Sequence, residues 1–165
     1  KTLYSVGEEA KGSVRAFRLD ASTGALTPLN RADTGGGGCC HVAVHPSGKL
    51  IVAANYGGGS CAFFRVHPDG SIGERAAFFQ HEGKGPTPRQ KGPHAHCGAF
   101  DAAGKFAYVV DLGLDKVLVF AVDAEAGTVK PAEPAFFALP PGSGPRHIAV
   151  SPANDWAFVN GELDC

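Results

Sequence analysis

Methionine is absent from these 165 residues, tryptophan occurs once, and charge is sparse and balanced: 15 Lys and Arg against 16 Asp and Glu, a formal net charge of -1. A chain without a basic excess offers no electrostatic footprint for nucleic acid or an anionic membrane, so neither is expected as a partner. No apolar run approaches the ~18 residues of a membrane span, and nothing resembles the apolar core of a secretory leader. Five cysteines occur with no Cys-x-x-Cys and no Cys/His zinc spacing. They read as small buried or half-buried thiols of a reducing compartment, so a cytoplasmic location is expected. Cys97, next to His96 in sequence, is the one candidate thiol nucleophile. No i, i+4 pair of histidines falls on a helical pattern, so no metal is expected. No stretch sustains a capped 3.6-residue period, so no long helix is expected. The missing methionine, and a start inside an apolar strand pattern, lead us to expect a partial chain.

What is present is a repeat. His41-Val42-Ala43-Val44-His45-Pro46-Ser47-Gly48-Lys49-Leu50 returns at Cys97 to Phe106, and again at His147 to Trp156, at offsets of 56 and 50 residues. A period of this size marks solenoids, propellers or arrays. Each unit reads as four short strands: Val42–His45, Leu50–Asn55, Ser60–Val66 and Ser71–Phe79, separated by Pro-Ser-Gly, Gly-Gly-Gly and Pro-Asp-Gly turns. Gly supplies positive φ in such turns and Pro presets φ. The third strand recurs as Gly12–Leu19 and Asp115–Val122. Four-stranded units of ~40–50 residues are propeller blades. The expected fold is all-β, an incomplete propeller arc with blade repeats over 1–38, 39–93, 94–144 and 145–165, the first and last incomplete. An ordinary β-sandwich is the alternative, disfavoured because turns, strands and glycines recur together.

The repeat also predicts a site. In each blade the residue before strand one and the residue after strand two share a rim of the central channel. Superposed, the first position holds Cys40, His96 and Arg146; the second holds Glu8, Tyr56, Leu112 and Glu162, preceded by Asn55 and Asp111 in two blades. The segments leading in carry Gly92-Pro93-His94-Ala95-His96 and Gly142-Ser143-Gly144-Pro145-Arg146-His147; small residues let a ligand approach the backbone and Pro stiffens the path. An imidazole, a guanidinium and a carboxylate form an acid/base kit, in which His or Glu activates water and Arg holds an anion or oxyanion. The expected catalytic residues are His96, Arg146 and Glu162, with His94, Asn55 and Asp111 as substrate-binding residues. A structural ion pair is the plain alternative for Arg146 and Glu162. His41 and His147 follow the rim position, so strand alternation should turn them to the other face. His45 and His67 fall at turns. The polar stretch His81 to Lys91 either caps the channel or is solvated, and the solvated state is expected.

Gly36–Gly48, Ala54–Ser60, Gly92–His96, Gly142–Ala149 and Val159–Leu163 together resemble the seven-bladed-propeller lactonase family, which includes propeller-type 6-phosphogluconolactonases and fungal carboxymuconate cyclases. The resemblance spans the whole chain and about half of a family member. It implies an active site of histidine, arginine and glutamate on the rim, which by motif falls on His96, Arg146 and Glu162, with a further arginine in a later blade beyond Cys165. The expected function is hydrolysis of a sugar-acid lactone, 6-phosphogluconolactone first. A cycloisomerase closing a muconate, or a non-enzymatic binding scaffold, stays open. No cofactor is expected, since ester hydrolysis needs only acid/base and electrostatic help. Four residues depart from the family pattern: Cys39 and Ala102 stand where Pro is expected, and Cys61 and Gly98 replace apolar strand residues.

Overall fold

The computed structural model describes residues 1–164, in thirteen strands with no helix among them. Strands β1 (Thr2–Gly7), β2 (Ser13–Leu19) and β3 (Leu26–Asp33) form one antiparallel sheet. Strands β4 (Cys39–Val44), β5 (Leu50–Asn55), β6 (Ser60–Val66) and β7 (Ile72–Gln80) form a second. The third holds β8 (Ala95–Phe100), β9 (Phe106–Asp111), β10 (Lys116–Asp123) and β11 (Thr128–Ala138), and the fourth β12 (Pro145–Val150) with β13 (Ala157–Gly161). Every sheet is a simple meander, and the inner strands β4, β8 and β12 pack in succession. This is a propeller arc: two whole blades between two partial ones. A sandwich would need two sheets sharing one core; here separate cores fill the spaces between successive sheets.

The apolar run Leu50–Ala54 explains the arrangement. Its strand lies between two neighbouring blades and is buried on both faces, so period-two alternation of apolar and polar residues disappears. Ile51 joins Val14, Ala16, Phe64 and Ile72 on the side of the first sheet. Leu50, Val52 and Ala54 join Phe63, Val109 and Phe120 on the side of the third. Phe63, Phe79 and Phe120 form an aromatic cluster there, with ring centroids 4.6–6.1 Å apart. Cys97, Val110 and Val117, with Ile148 and Val159, fill the next space.

Two departures from the family pattern have physical reasons here. The Ala102 amide donates to Asn154 Oδ1 at 2.8 Å, a bond between blades that a proline could not make. Gly98 faces Val52 of the neighbouring blade, where a Cβ would lie 2.8 Å from Val52 Cγ1. Its missing side chain is therefore a packing requirement between blades. The described residues contain no helix long and apolar enough to cross a membrane.

Candidate active site at the channel rim

A β-bulge sits at the same place in three blades. Cys39 pairs with Asn55 and His41 with Ala54, leaving Cys40 as the extra residue. Ala95 and Cys97 pair with Asp111 and Val110, leaving His96. Pro145 and His147 pair with Gly161 and Asn160, leaving Arg146. A bulge re-aims the inserted side chain and breaks strand alternation. The first rim position of the repeat is thus a bulged residue each time.

A backbone bond recurs beside each bulge. The amides of Tyr56, Leu112 and Glu162 donate to the carbonyls of Gly38, His94 and Gly144 at 2.8–2.9 Å. Each ties the end of strand two to the residue two positions before the bulge. Sequence register and this bond together bring the two rim positions side by side.

Glu8, Cys40, Tyr56, Arg89, His96, Arg146, His147 and Glu162 line a polar cleft of about 380 Å³ at this rim. Arg146 Nε donates to Glu162 Oε2 at 2.9 Å and is 3.1 Å from His96 Nε2, which accepts. Arg89 Nη2 donates to the other carboxylate oxygen, Oε1, at 2.9 Å, and its guanidinium lies beside Tyr56. The Tyr56 ring meets the His96 ring edge-on at 5.5 Å and stacks on His94 at 4.5 Å. Tyr56, Arg89, Glu162, Arg146 and His96 therefore form a closed circuit of contacts. Burial holds His96 below the ordinary imidazole value, and the Arg146 charge adds to this. An exposed ion pair of this kind contributes only about 0–1 kcal/mol to stability, so the circuit is easily rearranged.

Of the expected residues, His96, Arg146 and Glu162 come together. His94 is displaced from them: its Nδ1 donates to the Tyr56 carbonyl at 3.0 Å, and it meets the site only through the Tyr56 ring. Asn55 and Asp111 do not reach the cleft, because both are fully buried. Asn55 accepts from Thr34 Oγ1 and donates to Ser60 Oγ. Asp111 Oδ1 accepts the amides of His94, Gly113 and Leu114, and Oδ2 pairs with His81 Nδ1 at 2.6 Å. Their work is to fix the segments that lead into the bulges. Asp115 does the same one blade on, accepting the amides of Gly142 and Gly144 just before Arg146.

Three other expectations change. His147 lines the cleft beside Arg146, with its ring 5.3 Å from His96, because the bulge cancels the alternation that should have turned it away. His41 stays behind it, 6.5 Å from the His147 ring, accepting the Gly98 amide on Nδ1. The stretch 81–91 is not simply solvated. Gln90 is fully buried and donates to the Leu112 carbonyl and to Asp115, which places Arg89 at the rim. No repeat counterpart of Arg89 exists in the other blades, so superposition could not find it.

Neither Cys97 nor Cys40 is set up as a nucleophile. Cys97 is buried against His41, 3.6 Å from its Nε2, and burial pushes its thiol up. Cys40 reaches the cleft, but burial and the Glu8 charge push it up to about 11. Cys165 lies outside the described residues. No group of three or more His, Cys, Asp or Glu among the described residues is placed to hold a metal ion. A larger cleft of about 1200 Å³ lies at the opposite ends of the strands. Two of its basic side chains, Lys49 and Arg65, are engaged by Glu125 and Glu74; it also holds Arg18, His67 and Asp69, of which Asp69 accepts from the amide and hydroxyl of Ser71 in its own turn.

The family model described as "Lactonase, 7-bladed beta-propeller" matches residues 1–165. The chain is 36% identical over 162 residues to the 6-phosphogluconolactonase of Bacillus subtilis, covering 98% of this chain and 45% of that protein. It is 32% identical to the 6-phosphogluconolactonase of Formosa agariphila, covering 99% and 48%. Among solved structures, the periplasmic gluconolactonase of Pseudomonas aeruginosa superposes with a TM-score of 0.92 at 29% identity, over 98% of this chain and 48% of that one. The chain spans about half the length of the relatives it matches.

Proposed function

The chain belongs to the seven-bladed β-propeller lactonase family, and from that premise we propose that it carries the rim chemistry of a lactone hydrolase acting on a sugar-acid lactone, 6-phosphogluconolactone. The observation that carries this reading is the junction of Arg146 with both His96 and Glu162. It joins a base, a cation and a carboxylate in one cleft.

The chemistry follows from the charges. His96 is held toward its neutral form by burial and by Arg146, so it is the better base. Glu162 is bonded by two guanidinium groups, so both of its carboxylate oxygens are engaged. His96 Nε2 takes a proton from water as the water oxygen attacks the lactone carbonyl carbon. Arg146 turns from His96 to the carbonyl oxygen, which frees Nε2 and stabilises the developing oxyanion. Collapse breaks the ring C–O bond, and the departing ring oxygen takes the proton back from His96. Glu162 keeps Arg146 aimed. No cofactor enters this cycle. The names of the relatives support hydrolysis over lactone formation.

The test is lactone hydrolysis by the complete polypeptide, followed by pH-stat. Arg146→Ala and Glu162→Ala should each lower kcat by roughly a hundredfold or more. Unchanged rates in both would remove this site from the reaction.

A further inference from the structure

We propose that Arg89 is the specificity residue for the anionic substituent of the substrate, and that it exchanges Glu162 for that group on binding. The inference rests on the lactonase reading above and adds to it a residue outside the expected histidine, arginine and glutamate.

Arg89 and Arg146 are the two cationic side chains among the described residues lining the cleft. Arg146 is committed to the carbonyl oxygen by its place between His96 and Glu162. A phosphorylated lactone brings a second anionic group, which needs its own cation because Glu8 and Glu162 already line the cleft. Arg89 is the group left to meet it, and a guanidinium fork suits phosphate bidentately.

The mounting of Arg89 fits this use. Its side chain is 58% exposed at the ion pair, while the next residue, Gln90, is fully buried. The Gln90 side chain is bonded to the Leu112 carbonyl and to Asp115. The Gln90 amide also donates to the Thr87 carbonyl at 3.0 Å, and its carbonyl accepts from Gly85. The base of the arm is fixed and its head is loosely held. Tyr56, beside the Arg89 guanidinium, limits where the head can swing. A phosphate dianion competes well against one carboxylate for an exposed guanidinium, because it offers more negative charge and three acceptor oxygens. The exchange leaves Glu162 held by Arg146, so recognition of the substituent and preparation of the reacting end occur together.

The experiment measures steady-state hydrolysis of 6-phosphogluconolactone and of unphosphorylated gluconolactone by the complete polypeptide and its Arg89→Ala and Arg89→Lys variants. In Arg89→Ala, KM for the phosphorylated lactone should rise roughly 10- to 100-fold while KM for gluconolactone stays within about twofold. Arg89→Lys should recover part of the difference. An equal change on both lactones would make Arg89 a support for Glu162 and overturn the proposal, as would no change on either. Calorimetry with 6-phosphogluconate and gluconate separates this result from failure of the lactonase reading. If the unaltered protein hydrolyses neither lactone, that reading falls. Selective loss of 6-phosphogluconate binding in Arg89→Ala would still support the anion site, and no binding to the unaltered protein would overturn it.

Discussion

His96 has two reasons to stay neutral, burial first and the Arg146 charge second. A base works only unprotonated, so lowering its pKa extends activity toward acid. The acidic limb of kcat/KM should therefore lie below the ordinary imidazole value of about 6.5. Removing the Arg146 charge should move the His96 titration back up, which NMR of the imidazole in Arg146→Gln can follow; a downward move would reject this electrostatic account. His41 is also held down, by burial and then by His147 and His96. For a histidine whose folded pKa is depressed, acidification protonates the unfolded chain first. The stability these groups contribute is thus present above about pH 6.5 and is lost as the pH falls toward the lowered values. Asp111 belongs to the same scale for a different reason. The end of strand two was legible in the repeat, and so was its nearness to the rim, but not the three amides and the imidazole that occupy its carboxylate. Asp111→Ala strands these donors in the interior and should cost about 3 kcal/mol in urea denaturation. A variant that keeps its stability but loses only substrate affinity would restore Asp111 as a binding residue.

The bulged inner strand is the element that makes the site. The repeat made strand one visible through Val-Ala-Val and the following Gly turns, and so aligned Cys40, His96 and Arg146. It could not show that each is an inserted residue, because a bulge changes pairing without changing the hydrophobic pattern. Strand alternation therefore places His147 on the wrong face, while the repeat still aligns His96 and Arg146. Gly98 shows the same limit from the side of packing. Strand propensity alone favours Val over Gly in a strand. The close approach of Val52 reverses the sign, since a Cβ would lie 2.8 Å from Val52 Cγ1. Gly98→Val should therefore destabilise by about 1–3 kcal/mol through overpacking. Val52→Ala in the same chain should return part of that loss, read as a coupling energy in a double-mutant cycle. Additive costs would mean that the clash with Val52 is not the cause.

On the scale of the whole arc, each blade is stabilised chiefly by its neighbours, because the cores lie between sheets. The consequence is visible where the succession of described blades stops. Strand β13 pairs with β12 alone, and Trp156 and Phe158 are 67% and 66% exposed. Phe137, Leu139 and Trp156 line an adjoining groove of about 400 Å³. An unpaired strand edge beside large exposed aromatics is a template for association. These 165 residues prepared alone should therefore self-associate through this face. Burying an aromatic side chain of this size is worth about 1.5–3 kcal/mol. Trp156→Lys together with Phe158→Glu should then weaken association by about 3 kcal/mol or more, roughly a hundredfold in Kd. Sedimentation velocity over a concentration series measures it directly. The unaltered chain should shift from monomer to larger species at concentrations where the double variant stays monomeric. If both sediment as monomers at all concentrations, the exposed face is not an association surface.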